Sequence, residues 1–335
     1  MPRSRAIQGF QLGVEATSGT SVAANKKLLD IMLTPGAETN SDLVTSTGYV
    51  VPTGVQVTQE WTTGDVSGRI GYNSLVYILS SVLGGVTPST SIAYQSVTAT
   101  GTLARQWNFS GQSKATTTPK TYTLEYGDSA RAYKSTHGFF NSLTLSIDRT
   151  KAELSSSFIG RKLQSGQTLT ATPTEIAAQF SMPSSWSVYI DDTAATLGTT
   201  KATTVYEAEV AIGDRYGVDW TLNSTETSFT SYVDAEGQTP TSTLKFAADA
   251  TSDALMGTTF PAGSKKFIRL LSTGNTIEAS TKYAVQVDMC AIITKPNGFD
   301  SLNGVEVQSF DFTLAYDETW TKWLDVKVVN VLTAL

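Results

Sequence analysis

The stretch TYTLEYGDSARAYKSTHGFFNSLTLSIDRTKAELSSSFIG, residues 121–160, decides the fold. Its first part places large apolar side chains at every second position, namely Tyr122, Leu124 and Tyr126. After a turn-rich break the alternation returns with Leu143, Leu145 and Ile147. Such a period of two puts one face of a strand on a core and leaves the other face polar. A charged turn at 148–150 leads to a last strand that ends at Gly160, so the stretch predicts three or four antiparallel strands.

A similar block occurs near the C-terminus. Tyr283, Val285 and Val287 repeat the first alternation, and GVEVQSFDFTL at 304–314 resembles GFFNSLTL at 138–145. The recurrence of this pattern predicts that the chain contains two copies of one β-rich unit. The alternative is that two unrelated antiparallel meanders share the same alternation.

Size and composition predict a mainly β chain of two domains. The chain has 335 residues, enough for two cores, and only 16% of them are charged, which is typical of sheets with one wet face. We predict two tandem antiparallel β-sandwich or barrel-like domains, each with one short flanking helix. The predicted divisions are an N-terminal arm (1–24), a first domain (25–165), a linker (166–185) and a second domain (186–335).

Local patterns predict several individual elements. Residues 35–48 are predicted as a loop, and residues 55–72 as a hairpin whose turn lies at 62–65. A helix follows, with Asn73 as its cap, Gly84 as its stop and a single apolar stripe against the sheet. In the second half, alternation predicts a strand at 206–212 and a short helical piece lies at 252–256.

Few residues are suited to catalysis or metal binding. Cys290 is the one cysteine and lies in an apolar run, so we predict a buried, inert thiol; His137 is the one histidine. The acidic pairs Asp191-Asp192, Asp317-Glu318 and Asp234/Glu236 fall at turns, where solvated carboxylates are the usual finding; calcium binding and acid–base catalysis are the alternatives. We therefore predict no enzymatic activity, no cofactor and no metal.

The N-terminus and the charge pattern limit the partners. No apolar run follows Arg3 and Arg5, so we predict no signal peptide, no membrane span, and synthesis in the cytoplasm. Residues 1–165 carry 14 basic against 10 acidic residues, whereas residues 166–335 carry 10 against 20. No basic patch is interleaved with aromatic residues, which argues against sequence-specific nucleic-acid binding. Halves of opposite charge could attract each other between neighbouring subunits, or the difference is chance.

In the order of its elements the chain resembles the major tail tube proteins of long-tailed, siphovirus-like bacteriophages. The resemblance rests on the arm with Glu15 and Gly19-Thr20, the hairpin at 55–72, the helix at 72–84, the strand at 122–126, and Gly138 with the strand that runs to Ile147. It covers about residues 5–165 and, more loosely, 186–330. It implies a virion protein whose rings stack into the tail tube. The tube encloses the tape measure protein, contacts the tail terminator and distal tail proteins, and conducts double-stranded DNA.

The resemblance also assigns candidate surfaces. A duplicated unit implies three-membered rings, whereas a decorative second half implies six-membered ones. The polar side chains Gln56, Thr58 and Glu60, with Glu207 and Glu209 in the second half, are candidates for the channel lining. Candidates for contacts between rings or subunits are Arg3, Arg5, Phe10, Leu12, Glu15 and Asp65.

The alternative function is a tandem β-sandwich module that binds a surface or a carbohydrate. Such a module needs exposed tryptophans as a stacking platform. Trp61, Trp107, Trp186 and Trp220 fall on the apolar side of their predicted strands, which favours a core position.

Overall fold

The fold is described from a computed structural model, which covers residues 9–111, 116–222, 225–235 and 238–335. Strands account for 57% and helices for 8% of the structure so described, and the mainly β prediction is confirmed. The strands that precede residue 162 are β1 (Gly9–Val14), β2 (Lys26–Leu28), β3 (Ile31–Val44), β4 (Gly54–Arg69), β5 (Ser91–Tyr94), β6 (Val97–Thr100), β7 (Arg105–Ser110), β8 (Tyr122–Asp128), β9 (Arg131–Phe140), β10 (Leu143–Asp148) and β11 (Ala152–Arg161).

The later strands are β12 (Gln164–Gln167), β13 (Thr174–Ile176), β14 (Trp186–Asp191), β15 (Lys201–Ala202), β16 (Val205–Ile212), β17 (Tyr216–Asp219), β18 (Ser231–Asp234), β19 (Thr241–Ala247), β20 (Lys265–Glu278), β21 (Thr281–Leu302), β22 (Val305–Leu314) and β23 (Leu324–Asn330). The helices are α1 (Leu75–Val82), α2 (Ala250–Ala254), a π-helical turn (Leu255–Thr259) and α3 (Phe260–Ala262).

A long antiparallel sheet connects both halves of the chain. Its order is β3-β4-β11-β10-β16-β19-β22-β21, and β10 pairs with β16 from Leu143↔Ile212 to Asp148↔Glu207. A second sheet has the order β13-β2-β1-β8-β9-β12. Residues 121–160 form the four strands β8 to β11, which confirms the prediction of three or four antiparallel strands; their spatial order is β8-β9-β11-β10.

Strand pairing crosses the predicted domain boundary at several places. β7, from the predicted first domain, pairs with β23 at the C-terminus, and β13, from the predicted linker, pairs with β2. One cluster of buried apolar side chains includes Val66 and Leu145 as well as Val210 and Phe310. The two predicted regions therefore share sheets and a core, and their division into two domains stays a prediction.

The two halves nevertheless repeat one order of pairing. In the first half the pair β3–β4 precedes helix α1 and the hairpin β8–β9, and β4 pairs with β11. In the second half the pair β16–β19 precedes helix α2 and the hairpin β20–β21, and β19 pairs with β22. The edge pairings β1–β8 and β14–β20 also correspond. This correspondence supports the predicted duplication.

Two predicted elements of the first half were wrong. The predicted hairpin at 55–72 is the single strand β4, and its partner is β3, which occupies most of the predicted loop at 35–48. Gly64-Asp65 was interpreted as a turn. Instead, Gly64 pairs with Pro35 on one side and Phe158 on the other, and this pairing of both edges holds the backbone extended.

Helix α1 is confirmed, but it is buried on every face rather than along one stripe. The covering comes partly from the second half, because the Tyr216 hydroxyl donates a hydrogen bond to the Ser81 carbonyl over 2.8 Å. The predicted cap was also wrong. Asn73 donates through its side-chain amide to the Ala177 carbonyl, and Ser74 occupies the N-cap position.

The predicted arm is folded into the protein from residue 9. Strand β1 pairs with β8 over six residues, from Gly9↔Gly127 to Val14↔Tyr122. Its composition, rich in Gly, Ser and Thr, predicts a segment that is either disordered or laid against a partner. Pairing along β8 and burial of Phe10 and Leu12 instead provide the stabilisation that an isolated segment lacks. Residues 1–8 lie outside the described residues.

Candidate assembly and channel surfaces

A two-stranded ribbon extends beyond the body of the long sheet. We call residues 37–58 the free ribbon; they are exposed along the whole segment. β3 and β4 pair with each other as far as Val44↔Gly54, whereas β11 accompanies β4 only between Arg69 and Trp61. Within the described residues no third strand pairs with the free ribbon. Its end is closed by hydrogen bonds between Ser46 and Thr53, at 2.7 Å between the two hydroxyl oxygens.

The free ribbon has one apolar face and one mixed face, on which Val44, 48% exposed, follows Asp42. Leu43 lies directly opposite Val55, and Ser41 lies opposite Val57 on the same face. These apolar side chains are 61%, 63% and 43% exposed for Leu43, Val55 and Val57. Asp42 and Gln56 form the other face. Because Thr58 is the extra residue at a register shift, it lies at a bulge, and its hydroxyl donates to the Asn40 carbonyl.

Glu60, the third candidate for the channel lining in β4, has a local structural role. Its carboxylate forms an ion pair with Lys162 at 2.8 Å and accepts a hydrogen bond from the Thr227 hydroxyl. The hydrogen bond from Lys162, followed by that from Thr227, lowers the pKa of Glu60. Its backbone N–H also donates to the Thr227 carbonyl. Glu60 thereby attaches the loop that follows β17 to the base of the free ribbon.

Six strands of the long sheet present a continuous polar face. We define the polar sheet face by three rows of side chains, in the register of β4, β11, β10, β16, β19 and β22. The first row consists of Arg69, Glu153, Ser146, Glu209, Thr243 and Asp311. The second consists of Ser67, Ser155, Thr144, Ala211, Thr241 and Thr313. The third, shorter row consists of Asp148, Glu207, Lys245 and Ser309.

The polar sheet face is acidic, and most of its charges already have partners. Glu207 pairs with Lys245 at 2.8 Å, and Glu153 pairs with Lys151 at 2.7 Å. Burial acts to raise the pKa of Asp148, but hydrogen bonds from Thr150 and Lys151 outweigh it and lower the pKa. Together the three rows contain five carboxylates and only two cations. The middle row consists of five serine or threonine side chains and one alanine, so it carries no charge and no large side chain.

The two halves also enclose a cleft of about 330 Å³. We call it the junction cleft; it lies between the end of β10, the start of β14 and the start of β16. Its apolar lining comes from Ile147, Trp186, Val188, Val205 and Tyr206. A register shift between Val205 and Glu207 turns the side chain of Tyr206 outward, where it is 36% exposed. Arg149 lies at the rim and has no ion pair with any described residue.

The described residues offer little for catalysis or metal binding. No group of three or more His, Cys, Asp or Glu side chains within them could hold a metal ion. Burial raises the pKa of the Cys290 thiol to about 11, and the predicted burial of that thiol is confirmed. Asp191 accepts hydrogen bonds from the Gly198 and Thr200 backbone and so organises its own loop. No helix of the described part is long and apolar enough to cross a membrane.

The predicted subunit contacts at the N-terminus need correction. Phe10 and Leu12 are 4% and 0% exposed and belong to the chain's own core. Glu15 is buried, and its carboxylate accepts hydrogen bonds from the Gly19 N–H, the Thr123 hydroxyl and the His137 N–H. Contacts within the same chain therefore already bury all three residues, because β1 and the residue that follows it belong to the second sheet and its core. Asp65 is exposed on β4, and Arg3 and Arg5 lie outside the described residues.

The tryptophans do not form an exposed stacking platform. Trp107 is buried, as predicted, and its indole N–H donates to the Asn330 side chain. Trp61, Trp186 and Trp220 are only partly buried, which differs from the expected core positions. Trp61 and Trp220 meet edge to face with ring centroids 5.8 Å apart, so the edge of one ring covers a face of the other that a sugar would use.

The structure brings together part of the predicted channel lining. Glu207 and Glu209 lie on the polar sheet face, whereas Gln56 and Thr58 lie on the free ribbon, beyond the end of β11. Sequence reasoning missed Arg69, Glu153 and Asp311, which join the same row only through strand pairing. It also missed Leu43, because that residue was assigned to a loop.

Comparison with protein-family models found no match for this chain, and comparison with curated proteins found none either.

Proposed function

We propose that the protein is a structural subunit that polymerises into a tube, as the tail tube subunit of a long-tailed phage virion. Copies form rings, the rings stack, and the channel conducts double-stranded DNA. The tape measure, tail terminator and distal tail proteins are its further partners. The protein performs no catalysis in this role.

The free ribbon is the observation that carries the proposal. An isolated two-stranded hairpin is only marginally stable in water, and this one exposes three apolar side chains on one face. Its backbone edges are also open to pairing with another chain. A surface of this kind requires a covering partner, and self-association provides one without any other component. A contact between different surfaces of identical subunits generates rings or filaments.

The polar sheet face supports a channel function. Its rows combine small hydroxyl side chains with five carboxylates, against the two cations Arg69 and Lys245, and Lys245 is neutralised by Glu207. Retention of DNA depends on cations that contact phosphates, so an acidic wall lets the duplex slide. Glu207 and Glu209 keep their assignment as candidates for the lining, and Glu153 and Asp311 join them. Gln56 and Thr58 are reassigned to the assembly surface.

The repeated order of pairing favours three copies in a ring. Each chain would then contribute two similar units, and three chains would give six. A ring of six copies is the alternative if only the first half forms the tube wall.

The assembly test compares one substitution on the free ribbon with a matched control. We expect purified protein to form rings or rods visible by negative-stain electron microscopy, and Leu43→Asp to abolish them. Leu103→Asp is the control, because Leu103 is equally exposed, at 62%, but lies outside the ribbon. Circular dichroism checks that both variants remain folded. A wild-type protein that stays monomeric at high concentration contradicts the proposal, as does Leu43→Asp that assembles normally.

A further inference from the structure

The free ribbon and the junction cleft lie at opposite ends of the long sheet, measured along the direction of its strands. The ribbon leaves the body of the sheet beyond Trp61, which pairs with Arg161 at the end of β11. The cleft begins at Ile147, which pairs with Ala152 at the start of β11. Ala152 and Arg161 are nine positions apart in β11, a span of about 30 Å, given the rise of roughly 3.3 Å per residue in a strand. A ribbon of one copy therefore cannot reach its own cleft, because it extends away from it.

The two surfaces match in chemistry. The ribbon offers Leu43, Val55 and Val57, and the cleft offers Trp186, Val188 and Val205. The charges are also complementary. Residues 37–58 contain Glu38 and Asp42 but no basic residue, whereas Arg149 at the cleft rim lacks an ion pair with any described side chain. The other charged groups at the rim are engaged, since Asp148 accepts hydrogen bonds from its turn and Glu207 pairs with Lys245.

We propose that the junction cleft is the docking site for the apolar face of the free ribbon of a second copy. The inference rests on the proposed self-assembly and identifies which surface of the neighbour receives the ribbon. A ribbon at one end and its acceptor at the other make a head-to-tail contact, which propagates along an axis instead of closing as a dimer.

The first experiment cross-links two variants that each carry one added cysteine. Val55→Cys chains and Tyr206→Cys chains are mixed, allowed to assemble, and treated with a short bismaleimide. Cys290 is fully buried and does not compete for the reagent. We expect a covalent dimer that contains one chain of each kind. Leu103→Cys in place of Tyr206→Cys is the control, and it should yield none.

The outcomes separate the docking site from the proposed function. Rods that form without the Val55–Tyr206 cross-link, or with an equal cross-link to position 103, overturn the docking site and leave tube assembly standing. Absence of any assembly from the wild-type chain overturns both.

A charge reversal tests the rim independently. Arg149→Asp should reduce assembly, more at low salt than at high salt, because the free ribbon carries Glu38 and Asp42 and no basic residue. Normal assembly at low salt by a variant that keeps the wild-type circular dichroism spectrum contradicts a role for the rim charge.

Discussion

His137 shows how a single residue joins distant parts of the chain. Its side chain is 3% exposed, and its ring lies 5.3 Å from the Phe229 ring and 5.9 Å from the Tyr232 ring. Neither ring nitrogen has a hydrogen-bond partner among the described residues, whereas the backbone N–H donates to Glu15. Burial, followed by the nearby Arg161 guanidinium, lowers the pKa of His137 to about 4. The neutral imidazole is therefore the form that fits the folded protein.

This residue should make the fold sensitive to acid. The unfolded chain binds a proton at His137 below its ordinary pKa near 6.5, whereas the folded chain does so only near 4, so stability falls as the pH falls through this window. The loss attributable to His137 is at most about 3 kcal/mol. His137→Asn removes the titration and suits the backbone φ of +52°, which asparagine tolerates well. Urea unfolding between pH 7 and pH 4 should show a shallower decline for the variant, and equal slopes would contradict this assignment.

The free ribbon is an element whose role is separate from the stability of the body. It pairs internally, and its side chains are exposed on both faces. Elements of this kind contribute little to the stability of the isolated chain and much to association. The sequence shows the alternation of Val55 and Val57 with Gln56 and Thr58, but it does not show that the apolar side lacks a cover. That fact depends on where β11 ends.

Removal of the ribbon should separate folding from assembly. Residues 41–58 can be replaced by Asn-Gly, which joins Asn40 to its register partner Gln59 through a two-residue turn. We expect the free energy of unfolding to change by less than about 1 kcal/mol, since surface changes away from packed groups have small effects. Rods should be absent at every concentration in electron micrographs. A shortened protein that unfolds at much lower urea concentration would show that the ribbon supports the body.

At the scale of the whole molecule, the sequence predicted where strands occur better than it predicted which strands pair with each other. β10 and β16 follow their alternating patterns because each strand has one buried and one more exposed face, whereas β8 has the alternating sequence but is buried on both faces. β3 was missed because Pro35, Gly36 and Asn40 are common turn residues, yet its pairing with β4 extends the backbone. The pairing of β10 with β16 joins residues about 60 positions apart, and no local period reports it. The polar sheet face was therefore visible only as isolated glutamates.

The electrostatics of the assembled tube provide the last test. Glu209 lies in the charged row without an ion pair to any described residue, so Glu209→Lys adds a cation to the polar sheet face in every copy. Each lysine that contacts a phosphate adds about 0.9 to the salt dependence of DNA binding, and a tube multiplies the contact along its length. Glu226→Lys is the control, because it makes the same charge change in an exposed loop. Rods of the Glu209→Lys variant should co-sediment with double-stranded DNA at low salt and release it at high salt, whereas control rods should not. Equal retention by both variants would mean that the polar sheet face does not line the channel.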